Sequence, residues 1–236
     1  MPWLNHVSIL VEGGGARVVL DAGEGSYRQL RRCTGLDVDS IDLIVITHSH
    51  GDHMMGVASY ALMAGSRGLT IPVLALKGTV DDILKLIEAT HIQQYLRGLR
   101  LMPVEASSEP TLAYRVRGLS IWVSQVDHTV PSMGVRVVEE DSGKCIAYSG
   151  DTRPSESMVK LAKGCSLLIH EASGNPGFED EAHKHGHSTV LDAVNIAREA
   201  NVSSLALIHF YLTNPEVRDI GGIRVTIPYE CSSIEL

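Results

Sequence analysis

The sequence predicts an α/β sandwich, two mixed β-sheets face to face with helices outside in an αββα order, formed by a single domain over residues 1–236. Three observations predict it. Apolar runs are short, rich in Val and Ile and bounded by turn residues, which is the pattern of strands. Between them lie stretches with apolar residues three and four apart, the pattern of helices that bury one face. A chain of 236 residues with 44% apolar and 20% charged residues is also long enough to fill one core.

In chain order, strands are expected at His6–Val11, Ala16–Leu20, Asp42–Thr47, Pro72–Leu76, Leu119–Val126, Val135–Glu139, Cys145–Ser149, Leu167–His170 and Ser204–His209, with weaker ones at Ile223–Ile227 and Ser233–Leu236. The turn EEDSGK makes a hairpin of Val135 to Ser149. Helices are expected at Glu24–Thr34, Asp52–Ala64, Thr79–Leu96, Ser155–Ala162 and Thr189–Ala200. No repeat, low-complexity tract or Pro/Gly-rich linker divides the chain.

Composition narrows the function classes. No window approaches eighteen consecutive apolar residues, and the opening MPWLNHVSIL lacks the basic and apolar regions of a signal peptide. A cytoplasmic protein without a membrane span is the expectation. Cys33, Cys145, Cys165 and Cys231 show no C-x-x-C spacing, so they are expected to be small buried side chains, neither a thiolate metal site nor a disulfide framework. The formal charge of −8 argues against tight, non-specific nucleic-acid binding, and two divalent cations would offset about half of it.

The segment Thr47–His53 carries the chemistry. His48 and His50 leave a strand two residues apart, so they can point the same way. Gly51 loosens the turn that brings Asp52 and His53 to a helix N-terminus. Imidazole nitrogen and carboxylate oxygen suit Zn²⁺, Mn²⁺ or Fe²⁺, and four ligands in six positions fit two adjacent ions better than one tetrahedral ion. Each ion then needs ligands from elsewhere. His128, Asp151 and His209 each follow an apolar strand, and α/β sheets place their chemistry at the carboxyl ends of strands.

HSHGDH, DHTVPSMG, YSGDTRP, LIHEA, HGHST and LIHF, in that order, resemble the motifs of the metallo-β-lactamase superfamily, ribonuclease Z branch, and DAGEGSYRQL resembles that branch too. The likeness runs from about residue 5 to about residue 212. It implies a binuclear zinc hydrolase, a phosphodiesterase that processes the 3′ end of transfer RNA. His48, His50 and His128 would hold one zinc, Asp52, His53 and His209 the other, with Asp151 bridging them. A hydroxide between the metals would be the nucleophile, and Asp52 would help to orient it. His187 would protonate the leaving oxygen and Glu171 would orient and charge that histidine, while His170 is expected to be structural. The resemblance also implies a homodimer in which one subunit helps to present substrate to the other.

Two departures bear on the substrate. Members of the branch begin with a strand carrying a Phe-Leu-Gly-Thr-Gly-like turn, and this chain starts after that point. Between His128 and Asp151 they carry a protruding arm that grips RNA, where this chain has only PSMGVRVVEEDSGKCIAY. Arg97, Arg100, Arg115 and Arg117, with Arg28, Arg31 and Arg32, form the one loose basic grouping, and no basic stripe interleaved with aromatics is present. The alternatives are the same chemistry on a small diester or aryl sulfate, a thioesterase or lactonase, a di-iron oxidoreductase (disfavoured because those carry Glu where His50 stands), and a binding partner that has lost catalysis, which all seven ligands argue against.

Overall fold

The computed structural model describes residues 5–212, 215 and 222–236. Among the described residues, twelve strands form two mixed sheets. One is five-stranded, ordered β1-β2-β3-β4-β5, and the other seven-stranded, ordered β12-β11-β10-β9-β8-β7-β6. The chain divides into two compact units, one of Leu4–Glu105 with Val116–Gly118, the other of Met1–Trp3, Ala106–Arg115 and Leu119–Leu236.

In the first unit, β1 (Ile9–Gly13) pairs antiparallel with β2 (Ala16–Leu20), and β3 (Leu43–Ile46), β4 (Ile71–Leu76) and β5 (Leu99–Val104) follow in parallel. Every residue of β3 is buried, as in a central parallel strand covered on both faces. The core gathers Ile44, Ile46, Val73 and Ala75 with Tyr60 and Ala61 of helix α3 (Val57–Ser66) and Ile83 and Ile87 of helix α4 (Lys77–Ala89).

In the second unit, β7 (Leu119–Val126), β8 (Ser132–Glu139) and β9 (Cys145–Tyr148) form an antiparallel meander, and β9, β10 (Leu167–Glu171), β11 (Ser204–Ile208) and β12 (Arg224–Thr226) run parallel. Because β7 and β9 are both antiparallel to β8, they point the same way. The carboxyl ends of β7, β9, β10 and β11 therefore lie along one edge of the sheet. Helices α5 (Glu156–Ala162) and α7 (Val190–Glu199) bury Met158, Leu161, Val194 and Ala197 in this unit's core. A capping box of Thr189 and Asp192 starts α7.

Several elements differ from the sequence reading. The helix expected over Asp52–Ala64 is broken into α2 (Gly51–Met54) and α3, because Gly56 donates its N–H to the Ala22 carbonyl at 2.8 Å and leaves no room for a β-carbon. The helix expected over Thr79–Leu96 ends at Ala89, where His91 takes a φ of 54°, and a 3₁₀ turn covers Gln93–Gly98. Strands β5 and β6 (Thr111–Val116) and helix α6 (Glu179–Lys184) were not anticipated, and Ser233–Leu236 joins neither sheet.

The cysteine expectation is corrected. Cys145 and Cys165 are buried, as expected, but they form a disulfide, and none of the four cysteines is free. The β9–β10 pairing brings the start of β9 beside the turn before β10, with Ser166 N–H donating to the Cys145 carbonyl at 2.9 Å. A separation of 20 residues conceals that proximity in the sequence.

Candidate metal centre and acid pair

The seven expected ligands fall into two sets, one in each unit. The first leaves the end of β3. Asp21, just after β2, is fully buried with a φ of 56°, and its carboxylate accepts hydrogen bonds from the Thr47 N–H (2.7 Å), the Thr47 hydroxyl (2.9 Å) and the His53 Nδ1–H (2.7 Å). Since the Thr47 hydroxyl gives its proton to Asp21, its oxygen 3.0 Å from His48 Nδ1 accepts from that nitrogen. Both His48 and His53 are thereby fixed as tautomers whose Nε2 is the atom able to bind a cation. The His48 ring lies 4.9 Å from that of His50 and 4.2 Å from that of His53, and Asp52 Oδ2 is 3.7 Å from His53 Nε2.

The second set lines the shared strand edge. His128 follows β7 and donates from Nδ1 to the Gly186 carbonyl at 2.7 Å, which again makes Nε2 the atom able to bind a cation. Asp151, almost wholly buried after β9, has Oδ2 3.5 Å from Nε2 of His209, which follows β11 with a φ of 58°. Positive φ at non-glycine residues costs free energy and concentrates at functional sites. Asp21 and His209 both show it.

His187 stands beside this set, its ring 5.2 Å from His128 and stacked 5.4 Å from His209. Its Nδ1 donates to Glu171 Oε1 at 2.9 Å. The buried Glu171 carboxylate also accepts the N–H groups of Thr152 (3.0 Å) and Ser173 (3.2 Å). Glu171, His187 and His209 are close enough to share an ion. Three hydrogen bonds already occupy the Glu171 oxygens, however, so it serves better as the anionic partner of His187 than as a ligand.

His170 donates from Nδ1 to the Glu171 carbonyl at 2.7 Å, and burial lowers its pKa below the usual 6.5. Below 6.5 the unfolded chain binds a proton that the folded chain refuses, so stability rises with pH and is lost as pH falls through that value. Urea unfolding at pH 5 and pH 7.5 is expected to show this loss, and His170→Gln to reduce it; an unchanged pH dependence in the variant would contradict the assignment.

The sequence reading missed Asp21, the Gly186 carbonyl and Thr152. A buried Asp directly after a strand was the available signal for Asp21. Asp21→Asn keeps the shape but weakens the orientation of both histidines. A loss of about 10–100-fold in metal affinity is expected, read by competition with a chelator. Of the basic grouping, Arg31 pairs with Asp37, Arg115 with Glu140 and Arg117 with Asp42, while Arg97 donates to the Gly65 carbonyl. The interval between His128 and Asp151 is a single hairpin closed at Gly143.

Residues 16–210 match the Beta-lactamase superfamily domain. Ribonuclease Z of Methanothermobacter thermautotrophicus is 30% identical, over 87% of this chain and 80% of that protein. Ribonuclease Z of Ignicoccus hospitalis is 29% identical, over 88% of this chain and 82% of that protein. The latter alignment spans 253 positions although about 208 of the 236 residues here take part, so about 45 of its positions face no residue of this chain. Human tRNase Z, short form, superposes with a TM-score of 0.79 at 24% identity, over 98% of this chain and 92% of that one, which shows the αββα metallo-β-lactamase fold. The chain belongs to the β-lactamase superfamily and, within it, to the ribonuclease Z family of metal-dependent hydrolases.

Proposed function

We propose that this protein is a zinc-dependent endoribonuclease of the ribonuclease Z type that removes the 3′ trailer of transfer RNA precursors, acting in the cytoplasm as a homodimer. By that reading the chain acts as a single domain whose seven ligands serve one pair of ions. His48, His50 and His128 would hold one, Asp52, His53 and His209 the other, and Asp151 would serve both. The donor set fits: imidazole and carboxylate ligands suit Zn²⁺, with Mn²⁺ or Fe²⁺ as other cations it accepts, and hydrogen bonds fix the Nε2 tautomers of His48, His53 and His128. When bound, the ions supply activated water at neutral pH and positive charge opposite the phosphoryl oxygens.

The observation that carries the reading is the pairing of His187 with the buried Glu171 carboxylate, beside Asp151 and His209. A departing ribose oxygen is a poor leaving group and needs a proton. His187 holds Nδ1–H on Glu171, so Nε2 is the atom that carries and delivers that proton. The Glu171 carboxylate orients the His187 ring, and Asp52 orients the attacking water. The buried position of Cys145 and Cys165 limits access of cytoplasmic reductants to their bond.

The short hairpin in place of an arm and the ion-paired arginines favour a second reading, the same chemistry on a small diester. Parallel assays of zinc-loaded protein on a transfer RNA precursor and on bis(p-nitrophenyl) phosphate decide between them. Cleavage of both is expected. Cleavage of the small ester alone eliminates the processing reading, and inertness toward both eliminates hydrolysis.

A further inference from the structure

We propose that Phe178 and Tyr211 form a stacking platform for the unpaired nucleobases that flank the scissile phosphate; this rests on the ribonuclease reading above. Among the described residues, the exposed large aromatics are Phe178, Tyr211 and Tyr229. Scattered apolar residues on a surface are ordinary. Here two of the three lie on segments that adjoin the candidate centre and are far apart in sequence: Phe178 between Glu171 and His187, and Tyr211 two residues beyond His209.

Ser173 and Gly174, just past β10, join those segments. Ser173 N–H donates to the Ser188 carbonyl (2.9 Å) and Gly174 bridges to Thr189, which ties them to the loop of His187. Leu212 N–H donates to the Ser173 carbonyl (2.7 Å), which ties them to the segment leaving His209. A β-carbon on Gly174 would lie 3.0 Å from Phe178 Cβ, 3.7 Å from Leu212 Cδ1 and 3.8 Å from Thr189 Cγ2, so all three segments meet at this glycine. Phe178 is thus set against the chain that carries Tyr211, two residues beyond His209.

The turn holding Phe178 is ordered by its own bonds. Phe178 N–H donates to the Asn175 carbonyl at 3.1 Å, Gly177 takes a φ of 97°, and its N–H meets the Glu179 carboxylate at 2.9 Å. Yet Phe178 is 45% exposed and Tyr211 77% exposed, and neither belongs to the core, against which the neighbouring Phe210 packs. Exposed aromatics on segments that adjoin a phosphodiesterase centre suit splayed single-stranded bases. Stacking also needs no positive charge. That suits a chain of net charge −8 in which Arg31, Arg115 and Arg117 are bound to carboxylates.

The test uses zinc-loaded protein and a short single-stranded RNA carrying 2-aminopurine beside the cleavage position, whose fluorescence is quenched on stacking. Quenching is expected with the parent, and Phe178→Ala or Tyr211→Ala should each weaken binding about tenfold. Phe178→Tyr and Tyr211→Phe should bind within about twofold of the parent, since each retains an aromatic face. An abasic residue at that position should weaken the parent equally and leave the alanine variants unaffected. Alanine variants that bind like the parent, abasic RNA that binds like intact RNA, or RNA that does not bind at all would overturn the platform. Parent protein that binds with quenching but leaves the RNA uncut would instead overturn the ribonuclease reading alone.

Discussion

Asp151→Ala is expected to lower kcat/KM by about a thousandfold or more, equivalent to about 4 kcal/mol of lost transition-state stabilisation. Asp151 is almost wholly buried at the end of β9, with Oδ2 3.5 Å from His209 and 4.0 Å from His187. It is the one carboxylate in the second ligand set, and the proposal gives it to both ions. Alanine removes a negative charge from among three histidines, so the residue cannot be replaced by water without weakening cation binding. Initial rates on bis(p-nitrophenyl) phosphate at saturating zinc measure this. A variant with at least a tenth of the parent's activity would remove Asp151 from the centre.

The second large effect separates binding from proton transfer. His187→Ala is expected to reduce kcat on RNA by about 10²- to 10⁴-fold, the usual contribution of a positioned acid. The same variant should retain bis(p-nitrophenyl) phosphate hydrolysis within a few-fold, because p-nitrophenolate leaves without a proton. Glu171→Gln keeps the size but weakens the hydrogen bond that orients the His187 ring, so its loss on RNA should fall between the parent and His187→Ala. Equal losses of His187→Ala on both substrates would mean that His187 acts as a ligand, in the group it forms with Glu171 and His209.

Much of this was legible in the sequence, for identifiable reasons. Strands β2 and β7 have the expected limits, because runs such as ARVVL and LSIWVSQV combine β-branched residues with clear turn signals at both ends. Strand β5 was missed because LRLMPV contains Pro103, which sequence reasoning takes as a break; β5 is an edge strand, where a missing N–H is tolerated. Helix α6 was missed because six residues, EDEAHK, give no apolar period to recognise.

The site shows the same division. His128, Asp151, Glu171 and His209 could be read as strand-end residues because β7, β9, β10 and β11 point one way. Asp21 could not. Its role appears only when the backbone, with φ at 56°, turns its carboxylate onto Thr47 and His53, which follow it by 26 and 32 residues. The cysteine pairing was hidden likewise, since strand register and not spacing sets Cys145 beside Cys165.

The central proposal is that His48 and His128 serve the same ion. Zinc content at one fixed, limiting free-zinc level, compared among the parent, His48→Ala, His128→Ala and the double variant, tests it most directly. Two ions per chain are expected in the parent and one in each single variant, with the double variant also keeping one because both histidines serve the same cation. A double variant that keeps none, or a His128→Ala protein that keeps both, would contradict the shared centre.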